Sequence, residues 1–290
     1  MTTHRAILIA GPTASGKSAL AVDLAARHGG IVINADSMQI YRELAILTAR
    51  PSSTDLQRCP HLLYGYVDGA EAYSVGRWLA DVSVALDEAW RRGVMPIVVG
   101  GTGLYFKALL EGLSPIPPVP DAVREHWRGE AARLGSAALH AMLRAKDPVT
   151  AARLGPADRQ RVTRALEVLD ATGRGLADWQ LQPGLPVLAA DQARRLVVQL
   201  PRDELYARAD ERFDRMMAGG AMTEVGHLRT QGYSTELPLM RALGVAPLLA
   251  AADGAMTLEQ AVEQAKRDTR HYIKRQLTWL KRNMIAWDVA

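Results

Sequence analysis

The sequence predicts an α/β fold: a parallel sheet flanked by helices, with an inserted helical subdomain and a helical C-terminal part. Three observations carry this. Short continuous apolar runs alternate with amphipathic stretches over the first hundred residues, the pattern of buried parallel strands joined by helices. The alternation stops at Ser114-Pro115-Ile116-Pro117-Pro118-Val119-Pro120, which fits neither a helix interior nor a central strand. Beyond it the chain reads as helix until the apolar run Leu196–Leu200.

Taken in order, Ala6–Ala10 is a short apolar run suited to a strand buried on both faces. A glycine-rich turn follows, then a helix over Lys17–His28 with Leu20, Ala21, Leu24 and Ala25 on one side, stopped by Gly29 and Gly30. Ile31–Ala35 is a second buried strand. Trp78–Arg92 reads as a helix stopped at Gly93, and Met95–Val99 as a third strand. Residues 121–172 read as helices. The Pro- and Gly-rich loop Gln182–Pro186 leads back to a further core strand at Leu196–Leu200, between Arg195 and Pro201. The expected domains are therefore a core of residues 1–114 and 190–290 with C-terminal helices, and an insertion of residues 115–189.

With 48% hydrophobic and 23% charged residues, the 290-residue chain has the composition of a globular protein. One cysteine, Cys59, excludes an internal disulfide and fits a reducing cytoplasm. The scattered histidines and single thiol exclude a structural zinc site. No stretch approaches the ~20 apolar residues of a membrane span. Ala6–Ala10 is too short for a signal-peptide core. An unanchored cytoplasmic protein, monomeric by default, is the expectation.

Gly11-Pro12-Thr13-Ala14-Ser15-Gly16-Lys17-Ser18 matches GxxxxGK[ST] between an expected strand and an expected helix. Backbone N–H groups of such a P-loop, with the helix N-terminus, concentrate positive potential on a phosphate chain. Lys17 adds a point charge, and the Ser18 hydroxyl suits Mg²⁺. The motif specifies phosphate binding without specifying ATP.

The second strand runs into Asn34-Ala35-Asp36-Ser37-Met38-Gln39. Ligands of open α/β sheets gather at the carboxyl ends of strands, so Asp36 belongs near the phosphates. It could serve as a metal ligand, as a general base, or as a cap for the next segment. The third strand ends in Val99-Gly100-Gly101-Thr102-Gly103 with no acidic residue, which argues against ATP hydrolysis. The glycines suit a tight turn, or close approach of a bulky substrate with Thr102 offering a hydroxyl.

The net charge of +4 is concentrated near the C-terminus, where Lys266, Arg267, Arg270, Lys274, Arg275, Lys281 and Arg282 stand against Asp268 alone. At ~100° per residue, Leu258, Ala261, Val262, Ala265, Thr269, Tyr272, Gln276, Leu280 and Met284 share one side of a helix. Arg267, Arg270, His271, Lys274, Lys281 and Arg282 share the other. A solvated charged face is the usual meaning of such a helix, but so uniform a basic face, with Trp279 nearby, fits phosphodiester contact better than mere solubility. The helix Arg159–Ala171, with Asp158 as N-cap and Gly173 as stop, places Gln160 and Arg164 on one face and Arg161 at its edge. It is the candidate second wall for a nucleic acid.

Together these segments resemble tRNA dimethylallyltransferases, also called tRNA isopentenyltransferases. The resemblance runs in order through GPTASGKS, Asp36–Arg42, Val99–Thr102 with Leu104-Tyr105, and Asp158–Val168. It continues through Arg212-Phe213-Asp214 with Met216, Glu224-Val225, Met240–Gly244 and Lys274–Lys281. Residues 121–155 and 174–195 match only loosely.

The resemblance implies a P-loop NTPase-like sheet and transfer of a dimethylallyl group from dimethylallyl diphosphate. The acceptor would be the exocyclic N6 amine of the tRNA adenosine 3′-adjacent to the anticodon. It implies that Gly11, Thr13, Ala14, Ser15, Gly16, Lys17 and Ser18 hold the diphosphate, Ser18 with Mg²⁺, and that Asp36, Thr102 and Lys17 act in catalysis. It further implies that the anticodon stem-loop meets Asp36, Ser37, Met38, Gln39, Thr102, Arg124, Gln160, Arg161, Arg164, Arg241, Lys274, Arg275, Gln276, Trp279 and Lys281.

The chain departs from the family pattern at Leu47 and Arg50, where Gly and Lys are usual, and at Pro60, where a histidine often precedes His61. It departs again at Val245, where a Tyr is expected, with Pro247 two residues on. Two rival readings share the P-loop. One is a small-molecule or nucleotide kinase, which has no use for the basic helix. The other is a nucleic-acid-binding module with a vestigial nucleotide site.

Overall fold

Every residue of Ala6–Ala10 (β1) is buried because both faces of the sheet around it are covered. The computed structural model describes residues 4–290. Ala6, Leu8 and Ala10 point into one apolar layer and Ile7 and Ile9 into the opposite one, the two-residue period of a strand. After β1 come Lys17–His28 (α1), Ile31–Asn34 (β2), Ser53–Arg58 (α2), His61–Leu62 (β3), Val75–Arg91 (α3), Pro96–Gly100 (β4) and Gly103–Glu111 (α4). Four helices follow: Asp121–Leu134 (α5), Ser136–Lys146 (α6), Pro148–Ala152 (α7) and Arg159–Thr172 (α8). A single turn, Leu176–Trp179 (α9), precedes Ala193–Val197 (β5). The chain closes with Arg202–Ala218 (α10), Ala221–Gln231 (α11), Val245–Ala252 (α12), Leu258–Asn283 (α13) and Asp288–Val289 (β6).

The six strands pair in parallel in the order β3-β2-β4-β1-β5-β6. The connection from β1 leaves toward β2 on one side, whereas that from β4 returns to β5 on the other. Adjacent strands with oppositely directed connections open a crevice at their carboxyl ends, the usual ligand position in such sheets. Helix α1 covers one face through Ala21, Val22 and Ala25. The other is covered by Trp78, Val82 and Leu86 of α3 and by Phe106 and Leu109 of α4.

The chain divides into two compact units, one formed by the chain up to Leu110 together with Val187–Ala290, the other by Glu111–Pro186. The second is all helical, with its own core of Trp127, Leu139, Leu143, Val162 and Leu166. Asp158 caps α8 by accepting from the Arg161 N–H, and Gly173 ends it in a left-handed conformation. No helix among the described residues is long and apolar enough to cross a membrane.

One expected strand is displaced. Leu196–Leu200 was the apolar run, but β5 spans Ala193–Val197 and so takes in Arg194 and Arg195. The pairing of β5 with β6 reaches only Leu196 and Val197, so the start of β5 is a free sheet edge, where Arg194 is exposed and Arg195 partly so. The two-residue strands β3 and β6 are too short to produce any periodicity.

Trp78 is fully buried, stacks on Tyr105 at 4.2 Å, and donates its indole N–H to the Asn34 carbonyl at 2.9 Å. Trp78→Phe strips a hydrogen-bond partner from a buried carbonyl, which costs about 1–3 kcal/mol. A lower denaturant midpoint is the expected result, and an unchanged midpoint would contradict this role.

Candidate active site

The turn between β1 and α1 holds two left-handed residues, Ala14 at φ 65° and Gly16 at φ 87°. They fold the loop back so that α1 begins on Gly16 with no side-chain cap. The helix's first N–H groups are therefore left for a ligand, and the helix dipole selects an anion. Lys17 donates to the Pro12 carbonyl at 3.1 Å and is buried, which lowers its pKa to about 8, with Asp36 opposing the shift. Below that pH it carries the charge an anion requires. The Ser15 hydroxyl is buried with no partner, the kind of polar atom a bound phosphate satisfies.

Asp36 is presented by a turn that Asn34 builds. Asn34 is fully buried; its Oδ1 accepts from the Asp36 N–H, and its Nδ2 donates to the carbonyls of Asp36 and Leu63. Asp36 Oδ1 accepts from the Met38 N–H at 2.9 Å. Its Oδ2 lies on the Gly101 side, 3.6 Å from where a Cβ on Gly101 would stand. Thr102 Oγ1 accepts from the Ser37 N–H at 3.0 Å, so the ends of β2 and β4 are laced together beside the carboxylate.

A cavity of about 640 Å³ opens over these groups, lined by Thr13–Ala19, Asp36–Gln39, Leu47–Ala49, Arg241, Tyr272 and Arg275. It brings together the expected phosphate-binding residues Thr13, Ala14, Ser15, Gly16, Lys17 and Ser18 with Asp36, Ser37, Met38, Gln39, Arg241 and Arg275. Thr102, Lys274, Gln276, Trp279 and Lys281 do not line it. Arg124, Gln160, Arg161 and Arg164 belong to the all-helical unit, where Arg124, Arg161 and Arg164 are steadied by Asp121, Asp158 and Glu167 three residues away.

Three residues of α10 complete the wall, and the sequence reading assigned none of them to the site, although Arg212 stands in one of the family segments. Arg208, Arg212 and Arg215 recur at helical spacing and line the cavity. Arg212 is partly exposed as a residue but its Nε is buried without a hydrogen-bond partner; desolvation pushes its pKa down and Asp36 opposes that shift. A desolvated guanidinium with a free donor is costly unless an anion arrives to meet it. The i, i+4, i+7 spacing was the available signal.

Three expectations are corrected. Lys266 and Arg270 do not belong to a free basic face, because α10 supplies Asp214 and Asp210 to them at 2.7 Å and 2.6 Å. The exposed cations of α13 are Arg267, Lys274, Arg275, Lys281 and Arg282. The space left by the glycines after β4 is filled by protein, not substrate: a Cβ on Gly100 would lie 2.0 Å from the Ala35 carbonyl, and one on Gly103 2.3 Å from the Trp279 ring. Gln276, expected at the RNA face, is 6% exposed with both ends of its amide bonded inside the protein. Gln39 does line the cavity, held there by its Nε2 donating to the Thr48 and Ala49 carbonyls. Of the departures, Val245 and Pro247 are buried core residues, and Leu47 reaches the cavity wall.

Magnesium takes oxygen donors and retains most of its shell from phosphates and water. The Ser18 hydroxyl and the Asp36 carboxylate both line the cavity, and among the described residues no group of three or more His, Cys, Asp or Glu could hold a metal. This donor set fits a cation that arrives with a phosphate ligand.

The model of the IPP transferase family matches residues 39–283, and that of isopentenyl transferases residues 4–64. The tRNA dimethylallyltransferase of Methylobacterium nodulans is 56% identical over 279 residues, which is 96% of this chain and 91% of that protein. That of Bradyrhizobium sp. BTAi1 is 52% identical over 285 residues, or 98% and 93%. Among solved structures, the tRNA isopentenylpyrophosphate transferase of Bacillus halodurans superposes with a TM-score of 0.69 at 33% identity, covering 98% of this chain and 88% of that one. A eukaryotic dimethylallyltransferase acting on tRNA gives a TM-score of 0.78 at 29% identity, covering 95% and 69%.

Replacing Arg212 by an uncharged residue of similar length separates binding from folding. Arg212→Met is expected to weaken calorimetric binding of inorganic diphosphate at least about tenfold, the loss of one charge-assisted contact. Its thermal midpoint should be equal or higher, because an uncompensated desolvated charge is gone. Unchanged diphosphate affinity would remove Arg212 from the anion site.

Proposed function

The chain belongs to the tRNA dimethylallyltransferase family, the IPP transferases, and on that footing we propose that its cavity holds dimethylallyl diphosphate against an adenosine of tRNA. The protein is a prenyl-transferring enzyme of tRNA modification, and the kinase alternative falls with that membership. The observation that carries the site assignment is the placing of one carboxylate, Asp36, beside an uncapped helix N-terminus, Lys17 and Arg212. Anion site and base stand at the carboxyl ends of β1 and β2, on either side of β4, and line one cavity, as a transfer between a diphosphate ester and a weak nucleophile requires.

In this reading the P-loop N–H groups, Lys17 and Arg212 take the diphosphate. The adenosine N6, whose lone pair is delocalised into the ring, attacks the allylic carbon. The new C–N bond forms as the C–O bond breaks, and its electron pair leaves on the diphosphate oxygen. Asp36 accepts the proton that N6 gives up. Charge growing on the leaving group meets donors that are already in place, which lowers the barrier more than an equal attraction for the ground state would. Mg²⁺, held by Ser18 and the phosphates, would neutralise part of the diphosphate charge. Thr102, through Ser37, keeps the base turn in register with β4.

The acceptor must leave its stack to reach Asp36, so the tRNA presents an extruded base. Met38, Gln39, Arg241 and Arg275 at the cavity wall would meet that nucleotide. Lys274 and Lys281 would meet backbone phosphates, Trp279 a nearby nucleotide, and Arg124, Gln160, Arg161 and Arg164 the anticodon stem-loop. A cytoplasmic monomer acting on the adenosine 3′-adjacent to the anticodon completes the proposal.

Asp36→Asn keeps the shape of the turn and removes the base. Turnover is expected to fall by roughly 10²–10⁴-fold, the usual contribution of a positioned base, with tRNA affinity unchanged in a binding titration. A variant turning over at the native rate would exclude Asp36 as the base.

A further inference from the structure

Gln276 adjoins Arg275 and lies two residues from Lys274, yet its side chain turns inward. Its Oε1 accepts from the Thr13 N–H at 2.9 Å, and its Nε2 donates to the Gly101 carbonyl at 3.1 Å. Thr13 belongs to the P-loop, and Gly101 follows β4. One planar amide therefore joins the turn that holds the donor to the strand end beside the base. Gly101 is fitted to it: a Cβ there would stand 2.5 Å from Gln276 Nε2. The next residue, Thr102, binds Ser37, which follows Asp36, so the linkage continues to the base through short contacts.

Two features separate this contact from ordinary packing. The Thr13 N–H belongs to a loop whose amides face the phosphate ligand, and here it is diverted to a helix outside the motif. The amide also satisfies a donor and an acceptor that lie 88 residues apart in sequence and come from different strand ends. An apolar side chain of equal length would fill the space and leave both backbone groups unpaired.

We infer that Gln276 is a positioning residue for prenyl transfer, fixing the P-loop against the Asp36–Thr102 strand ends and tying both to α13. It touches no reacting atom. Attack on the allylic carbon needs the amine within ~3–3.5 Å and in line, so a small shift of the donor turn against the base is costly. Because α13 also presents Lys274 and Arg275 outward, RNA contact and donor geometry share one helix. The inference rests on the proposed function and replaces an RNA-binding role for this side chain.

The test is steady-state kinetics with dimethylallyl diphosphate and an unmodified tRNA, alongside RNA-binding titrations, on the full chain. Gln276→Leu is expected to lower kcat by roughly 100-fold, the cost of a misplacement near 1 Å, with the RNA dissociation constant unchanged. Gly101→Ala displaces the same amide from its other end and should show the same split. The double variant should be no slower than the slower single one, since both break one linkage. Should Gln276→Leu not fold, Gln276→Glu keeps the Thr13 bond, sets a carboxylate oxygen against the Gly101 carbonyl, and should again lower kcat alone. Weakened RNA binding with kcat restored at saturating RNA would overturn the inference in favour of an RNA contact, and multiplicative losses in the double variant would overturn the shared linkage. A wild-type protein that prenylates no tRNA would instead overturn the proposed function, and the inference with it.

Discussion

A helix that begins without a cap leaves donors unspent, and at α1 this shapes everything around it. The left-handed Ala14 and Gly16 let the chain turn sharply enough for the first N–H groups to face one point. At the starts of α2, α3, α7, α8 and α13 a Ser, Asp or Thr side chain satisfies one of those groups. At α1 they remain open at the carboxyl edge of a sheet buried on both faces, facing the cavity. The rest of the core holds that turn still: β1 lies between β4 and β5, and α1 packs Ala21, Val22 and Ala25 against the sheet.

The charge around the turn follows the same logic. Burial lowers the pKa of both Lys17 and Arg212, and Asp36 is the carboxylate that opposes the shift in each case. The site thus carries desolvated positive charge that an arriving polyanion relieves, with several donors already oriented. Folding bears the cost of assembling these groups, so it is not borne again during the reaction. The aspartate then serves two ends, as counter-charge to the cations and as proton acceptor for the amine.

Parts of this were legible in the sequence because they rest on local rules. β1 and α1 fall where the apolar run and the 3.6-residue spacing place them. The Asp158 and Gly173 caps of α8 are likewise local chemistry. The misreadings share another cause: tertiary partners that spacing cannot show. Lys266 and Arg270 look like solvated cations until α10 supplies Asp214 and Asp210. Gly100 and Gly103 look like room for a substrate until Ala35 and Trp279 fill it. For Gln276 two readings of the sequence disagreed: its angle on the helix put it with Ala265, Thr269 and Tyr272 on the buried side, while its motif put it at the RNA. The angle proved the better guide, since burial is a physical constraint and motif membership leaves orientation open. Arg212 had a signal in its spacing from Arg208 and Arg215, but the burial of its Nε was visible only in three dimensions.

The most direct measurement is mass analysis of nucleosides from an unmodified tRNA incubated with the protein, Mg²⁺ and dimethylallyl diphosphate. The account predicts an adenosine heavier by one five-carbon prenyl unit, at the position following the anticodon, with diphosphate released in equal amount. Diphosphate release with no prenylated nucleoside, or neither product, would contradict transfer to tRNA as the reaction of this site.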